Sequence, residues 1–171
     1  YSFNLDTTNA AVLALIPGET LTQRFSYILT DGDGDTSTAI LAITVHGSDD
    51  GVVINGLDVS GSEGTVYEAG LRGGEGDITT SGTFSLSAPD GLTSITIGES
   101  TFTLAQLSGA SVDNPLAATS AQGNVIDITG FDSTTGEVSY VYQLSHAASQ
   151  DAQGADSLLD STSITAVDRN G

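Results

Sequence analysis

Apolar residues in this chain recur at every second position, in short runs that close on glycine, aspartate, asparagine or serine. A period of two puts such residues on one face of a β-strand, and the closing residues are those that turns require. Phe25, Tyr27 and Leu29 share a face of a strand ending at Thr30, and after an Asp-Gly tract Leu41, Ile43 and Val45 share a face of the next. Phe84 and Leu86, Ile95 and Ile97, Phe102 and Leu104, and Ile126 and Ile128 repeat the pattern. Val138, Tyr140, Tyr142 and Leu144 carry it furthest, with the tyrosines facing the core. Strands at a spacing of roughly 8–12 residues predict an all-β sandwich.

Helix is scarce. Asn9 to Leu15 suits one or two turns, with Asp6, Thr7 or Thr8 as cap and Pro17-Gly18 as stop, and Leu104 to Leu107 suits one more. Residues 147–155 are small and polar and read as a loop.

A boundary falls at Gly47-Ser48-Asp49-Asp50-Gly51, a short acidic linker without side chains that pack. The stretch from Leu21 to Gly34 is echoed by the stretch from Leu158 to Gly171: each is a strand running into an Asp-x-Asp/Asn-Gly turn. Two tandem units are therefore expected, residues 1–50 and 51–171, the first without its beginning and the second without its last strand. A sandwich short of an edge strand exposes unpaired backbone. The strand Thr36 to His46 is expected to fill that place, or a strand exchanged with a neighbouring chain does.

Charge changes the picture. Three arginines (Arg24, Arg72 and Arg169) and no lysine face 22 acidic residues, for a net charge of −19. Nucleic acid and anionic membrane surfaces need a basic footprint and are excluded as partners. No segment has the length to cross a bilayer, so membrane insertion is not expected either. Carboxylates packed on a small domain repel one another unless something neutralises them, and Ca2+ prefers oxygen ligands of this kind. Acidity of the halophilic sort gives the same composition, so placement has to decide. Without cysteine there are no disulfides and no thiolate zinc sites, which leaves metal as the available staple.

Asp31-Gly32-Asp33-Gly34-Asp35 sets three carboxylates in five residues, where glycine lets the backbone curl around one ion. Asp-Gly pairs also punctuate ordinary hairpins. The tract is not an EF-hand, because Thr36 stands at the turn glycine and Ala42 at the twelfth position. Asp49 and Asp50, with Glu68 from the next unit, are candidates for a junction site, against a reading as solvated linker acidity. Asp168 and Asn170 mirror the first tract, with Arg169 intruding; Asp90 and Asp132 read as plain turn formers, and His46 and His146 as surface residues. Gly73-Gly74-Glu75-Gly76-Asp77 has the wrong spacing, and no second copy, for a calcium β-roll. No Gly-x-Ser-x-Gly elbow, His-Glu-x-x-His or cysteine nucleophile is present, and a chain without tryptophan is poorly equipped for a carbohydrate-enzyme cleft. The chain is not expected to be an enzyme.

Residues 1–50, with NAAVLAL before GETLTQRFSYILTDGDGDTSTAILAITVHGSDD, resemble the C-terminal half of a VCBS-type repeat. Residues 51–171 resemble the long repeat of giant type I-secreted bacterial adhesins through VYEAGL, GTFSLSAPDGLTSITIG, FTLAQL, ITGFDSTTGEVSYVYQL and GADSLLDSTSITAVDRNG. The resemblance implies an immunoglobulin- or cadherin-like extender domain that binds Ca2+ at domain junctions and in loops. It further implies an extracellular place on the surface of a Gram-negative bacterium, adjacent repeats of the same polypeptide as partners, and a role in adhesion and biofilm. Surface glycans or matrix polymers would then be held by other domains. The alternative is a module that itself grips a carbohydrate or protein.

Overall fold

The computed structural model describes residues 2–58, 62–147 and 157–171. Ten strands and three short helices occupy them. Strands β1 (Thr20–Thr30) and β2 (Thr36–His46) form a two-stranded antiparallel hairpin, paired from Thr20↔His46 to Thr30↔Thr36. The remaining strands make two sheets. One has the order β10-β5-β6, from β5 (Leu92–Ile97), β6 (Ser100–Thr103) and β10 (Ile164–Asp168). The other has the order β3-β4-β9-β8-β7, from β3 (Val53–Asn55), β4 (Thr79–Ser87), β7 (Leu116–Thr119), β8 (Val125–Phe131) and β9 (Glu137–Gln143).

The two sheets enclose one core. Ile95 and Ile97 of β5 and Phe102 of β6 pack with Phe84 and Leu86 of β4, Ile126 and Ile128 of β8, and Val138 of β9. These are the alternating positions read from the sequence, because a pleated strand turns every second side chain inward. The all-β sandwich expected from the pattern is what forms. Tyr140 and Tyr142 are partly buried against this core, with the Tyr140 ring 6.2 Å from that of Phe84. Leu104 was read both on a strand with Phe102 and in a helical turn to Leu107, and the second reading is what forms: the strand stops at Thr103, which opens α3 (Leu104–Ser108) with a reciprocal Thr103–Gln106 capping box, and Leu107 is the residue that α3 buries.

The other helices are equally short. Asn9, rather than the residues expected before it, caps α1 (Ala10–Leu13) by accepting from the Ala11 N–H, while Asp6 closes a turn on Thr8. A third helix that the sequence pattern did not suggest, α2 (Glu68–Leu71), precedes β4. The loop expected over residues 147–155 lies, apart from Ala147, outside the described residues.

The hairpin corrects a second expectation. Thr36 to His46 pairs with β1 and with no strand of the sandwich, so it does not complete the second unit. The Asp31–Asp35 turn returns the chain directly alongside β1, and eleven register pairs hold it there. Cross-strand partners Phe25↔Leu41 and Leu21↔Val45 bring the two faces read from the sequence, Phe25, Tyr27 and Leu29 and Leu41, Ile43 and Val45, together with Leu21 onto one face of the hairpin. Residues near Phe3, Leu5 and Val12 lie against the Leu21–Val45 end, and Tyr27 and Leu29 stand exposed.

One glycine of the sandwich is sterically obligatory. Gly136 sits at φ +73°, and a Cβ there would meet the Leu86 carbonyl oxygen at 2.0 Å, where the Leu86 N–H already donates to the Gly136 oxygen at 2.9 Å. Gly136→Ala is expected to cost roughly 2–4 kcal/mol in urea unfolding, since the β4–β9 register must shift to admit the methyl. Stability within 0.5 kcal/mol of the parent (about the spread of neutral surface changes) would contradict that packing.

Candidate metal centre

Two groups of three carboxylates form among the described residues, each with oxygens within 4.8 Å of one another: Asp31, Asp33 and Asp35, and Asp49, Asp90 and Asp168. Either group could hold a metal ion. They differ in surroundings.

The first group lies wholly in the exposed β1–β2 turn. Asp31 Oδ1 accepts from the Asp35 N–H at 2.9 Å, and the Asp31 N–H donates to the Asp35 carbonyl at 3.0 Å. Gly34, at φ +97°, allows that closure. The Asp33 side chain, and then the amides of residues 33–35, hold the Asp31 carboxyl below the ordinary range against the opposing effect of desolvation. These bonds account for much of the tract as turn chemistry.

The second group is assembled from three distant segments. Asp49 comes from the segment joining β2 to β3. Asp90 comes from the β4–β5 turn, where the Gly91 N–H donates to the Ala88 carbonyl at 2.9 Å, Pro89 sets the entering φ and Gly91 takes φ +95°. Asp168 ends β10, where the register against β5 shifts between Val167 and Asp168. It follows the inward alternation of Ile164 and Ala166 and is 6% exposed, while the Thr93 hydroxyl holds its carbonyl at 2.8 Å.

Asp90 is the unusual member. It is 1% exposed, and its Oδ1 has no hydrogen-bond partner among the described residues. Its Oδ2 accepts from the Asp50 N–H at 3.0 Å and from Asn170 Nδ2 at 2.7 Å. A buried carboxylate oxygen left unpaired costs several kcal/mol, more so beside two further carboxylates. An open groove of about 200 Å3 lined by Asp49, Gly51, Val52, Ala166, Val167, Asp168 and Gly171 runs past the group.

The residues expected to ligate metal are thus redistributed. Asp31, Asp33 and Asp35 meet as expected. Asp49 and Asp168, assigned to separate sites, meet in one, with the Asn170 side-chain amide bonded to two of its carboxylates and the Asn170 N–H to the third. Asp50 contributes its N–H, while its carboxylate takes the Ser48 hydroxyl at 3.3 Å. Glu68 is in neither group: it lies on α2, one turn from Arg72, whose guanidinium stands 3.5 Å away. A junction site of Asp49, Asp50 and Glu68 is therefore not what forms. Arg169 does not oppose the group as its place in the tract suggested, because its guanidinium turns to Glu19 at 3.9 Å. Asp90 was readable only as a turn former, a role that Asp132 does fill through the Thr134 and Thr135 amides. His46 and His146 are exposed.

A second polar cluster was not visible in the sequence. Asp160 accepts from Asn124 Nδ2 at 2.9 Å, the Tyr142 hydroxyl at 2.8 Å, the Gln122 N–H at 3.1 Å and the Ser120 hydroxyl. Burial pushes its carboxyl up, but these donors outweigh burial and hold it below the ordinary range. Burial first, and Asp160 second, push the Tyr142 phenol far up.

No family model, curated protein or solved structure matches this chain.

Proposed function

We propose that the chain is a calcium-stiffened spacer module of a large secreted bacterial adhesin, without catalytic activity. The observation that carries this is the unpartnered Asp90 oxygen, buried beside Asp49 from the inter-unit segment and Asp168 from the end of β10. Three carboxylates and no nitrogen or sulfur ligand suit a hard cation, and an oxygen set drawn from three separate segments suits the variable coordination of Ca2+ better than the strict octahedron of Mg2+. One divalent ion takes the group from −3 to −1.

The mechanical consequence follows from where the ligands come from. An ion held by Asp49 and by Asp90 and Asp168 ties the connecting segment to the end of the sandwich, so the unit before it loses freedom to swing. Repeated along a polypeptide, such junctions make a rod. The Arg169–Glu19 pair spans the same junction but is solvent-exposed on both sides and adds little by itself. On this reading the module lies outside the cell with adjacent repeats as its partners, which the resemblance of its sequence to adhesin repeats supports.

Thermal unfolding in millimolar Ca2+ and in excess chelator is the test. If the free ion stands at about 100 times the dissociation constant, linkage adds about 2.7 kcal/mol, or roughly 5–10 °C for a domain of this size. Magnesium at the same concentration should give a smaller shift. Coincident curves in calcium and chelator, with no heat of calcium binding by calorimetry, would remove the reading.

A further inference from the structure

We infer that Asn170 is a built-in competitor for the cation at the Asp49–Asp90–Asp168 group, a donor to its carboxylates without an ion and an oxygen ligand with one. This rests on reading the group as a cation site. The Asn170 side chain is held against it by its own backbone: the N–H groups of Asn170 and Gly171 both donate to Asp168 Oδ1, at 2.8 and 3.2 Å. From that turn the amide nitrogen reaches Asp90 Oδ2 at 2.7 Å and Asp49 Oδ1 at 3.4 Å.

Those two oxygens belong to carboxylates that an ion would share, and the positive amide hydrogens aimed at them repel a cation drawn to the same group, although each carboxylate keeps lone pairs for both. The amide resolves the conflict without moving the chain. A half-turn about its last side-chain bond exchanges Nδ2 for Oδ1, replacing a donor aimed at carboxylates by an acceptor aimed at a cation. The first orientation supplies Asp90 with one of its two donors, the other being the Asp50 N–H. Breaking the Asn170 bonds is part of the cost of binding, so Asn170 gives a lower affinity than a fourth carboxylate would, while it protects the ion-free fold. A reversible site follows, where a fourth carboxylate would give a tighter one on a less stable scaffold.

Asn170→Asp separates these roles, because it removes the donor and adds a charged ligand. In chelator it is expected to melt well below the parent, and in calcium to bind about tenfold more tightly by calorimetry, since ligand charge sets affinity at such sites. Asn170→Ala, which removes donor and ligand together, should melt lower in chelator and bind more weakly. Folding of each variant is checked first in calcium by circular dichroism. A calcium-responsive parent whose N170D variant keeps the parental affinity and chelator melting point would overturn the competitor role alone. A parent indifferent to calcium would overturn the cation site itself.

Discussion

Asp90→Asn is expected to raise the melting temperature in chelator, or leave it unchanged, while erasing most of the calcium-dependent rise. The two halves have one cause. Asp90 is buried with an unpartnered oxygen beside Asp49 and Asp168, so without an ion its charge is uncompensated. An asparagine of the same shape still accepts from the Asp50 N–H, and its new amide group can donate to the flanking carboxylates. Removing one of three like charges relieves repulsion in the same step. With calcium present, the substitution withdraws a charged ligand, and the linkage contribution of about 2.7 kcal/mol at hundredfold saturation falls away. A purely structural Asp90 behaves otherwise: its loss would lower both melting temperatures by the same amount, and that result would end the assignment. Asp31→Asn and Asp33→Asn provide the contrast. Their carboxylates are exposed, and that of Asp31 is already engaged in a turn bond, so most of the calcium response should survive either change.

Asp160→Ala should cost about 3 kcal/mol in urea unfolding. Hydrogen bonds to a charged acceptor contribute roughly 1.5–3 kcal/mol each, and part of the loss is recovered as the freed donors meet water. The four donors come from the β7–β8 turn and from β9, so the residue pins the segment before β10 across the end of the large sheet. Its pH signature separates it from a packing defect. The folded carboxyl titrates below the 3.8 of a free aspartate, so as pH falls the unfolded chain takes up the proton first. The stability it contributes is fully present above 3.8 and disappears as pH drops through the lower folded value. Parent and D160A should therefore differ most near neutrality and converge in acid. A gap that stays constant from pH 7 down to about pH 2 would show that the cost is packing rather than ionisation.

Much of the sandwich was legible in the chain. Val138, Ile128 and Ile95 sit at alternating positions whose two-residue period survives unchanged from sequence to core, because pleating is a local property of the backbone. The Asp31–Asp35 turn was legible for the same reason: its ligands are neighbours, so their convergence needs only a few dihedral angles. The candidate site was half legible. Asp49, Asp168 and Asn170 stood out as acidic or amide residues in turns, yet were assigned to two places. Asp90, the residue on which the site depends, looked like one Asp-Gly turn among several.

What separates these cases is the range of the interaction. Strand period, turn positions and the excess of negative charge follow from residues a few places apart, and the sequence by itself determined them. Which carboxylates meet was decided by the register of β10 on β5, which carries the inward alternation of Ile164 and Ala166 on to Asp168, and by the burial of the β4–β5 turn under the segment joining β2 to β3. Burial is also what distinguishes the two acidic groups: the first lies wholly in water, whereas packing takes Asp90 and Asp168 of the second out of it, where a charge is costlier to hold.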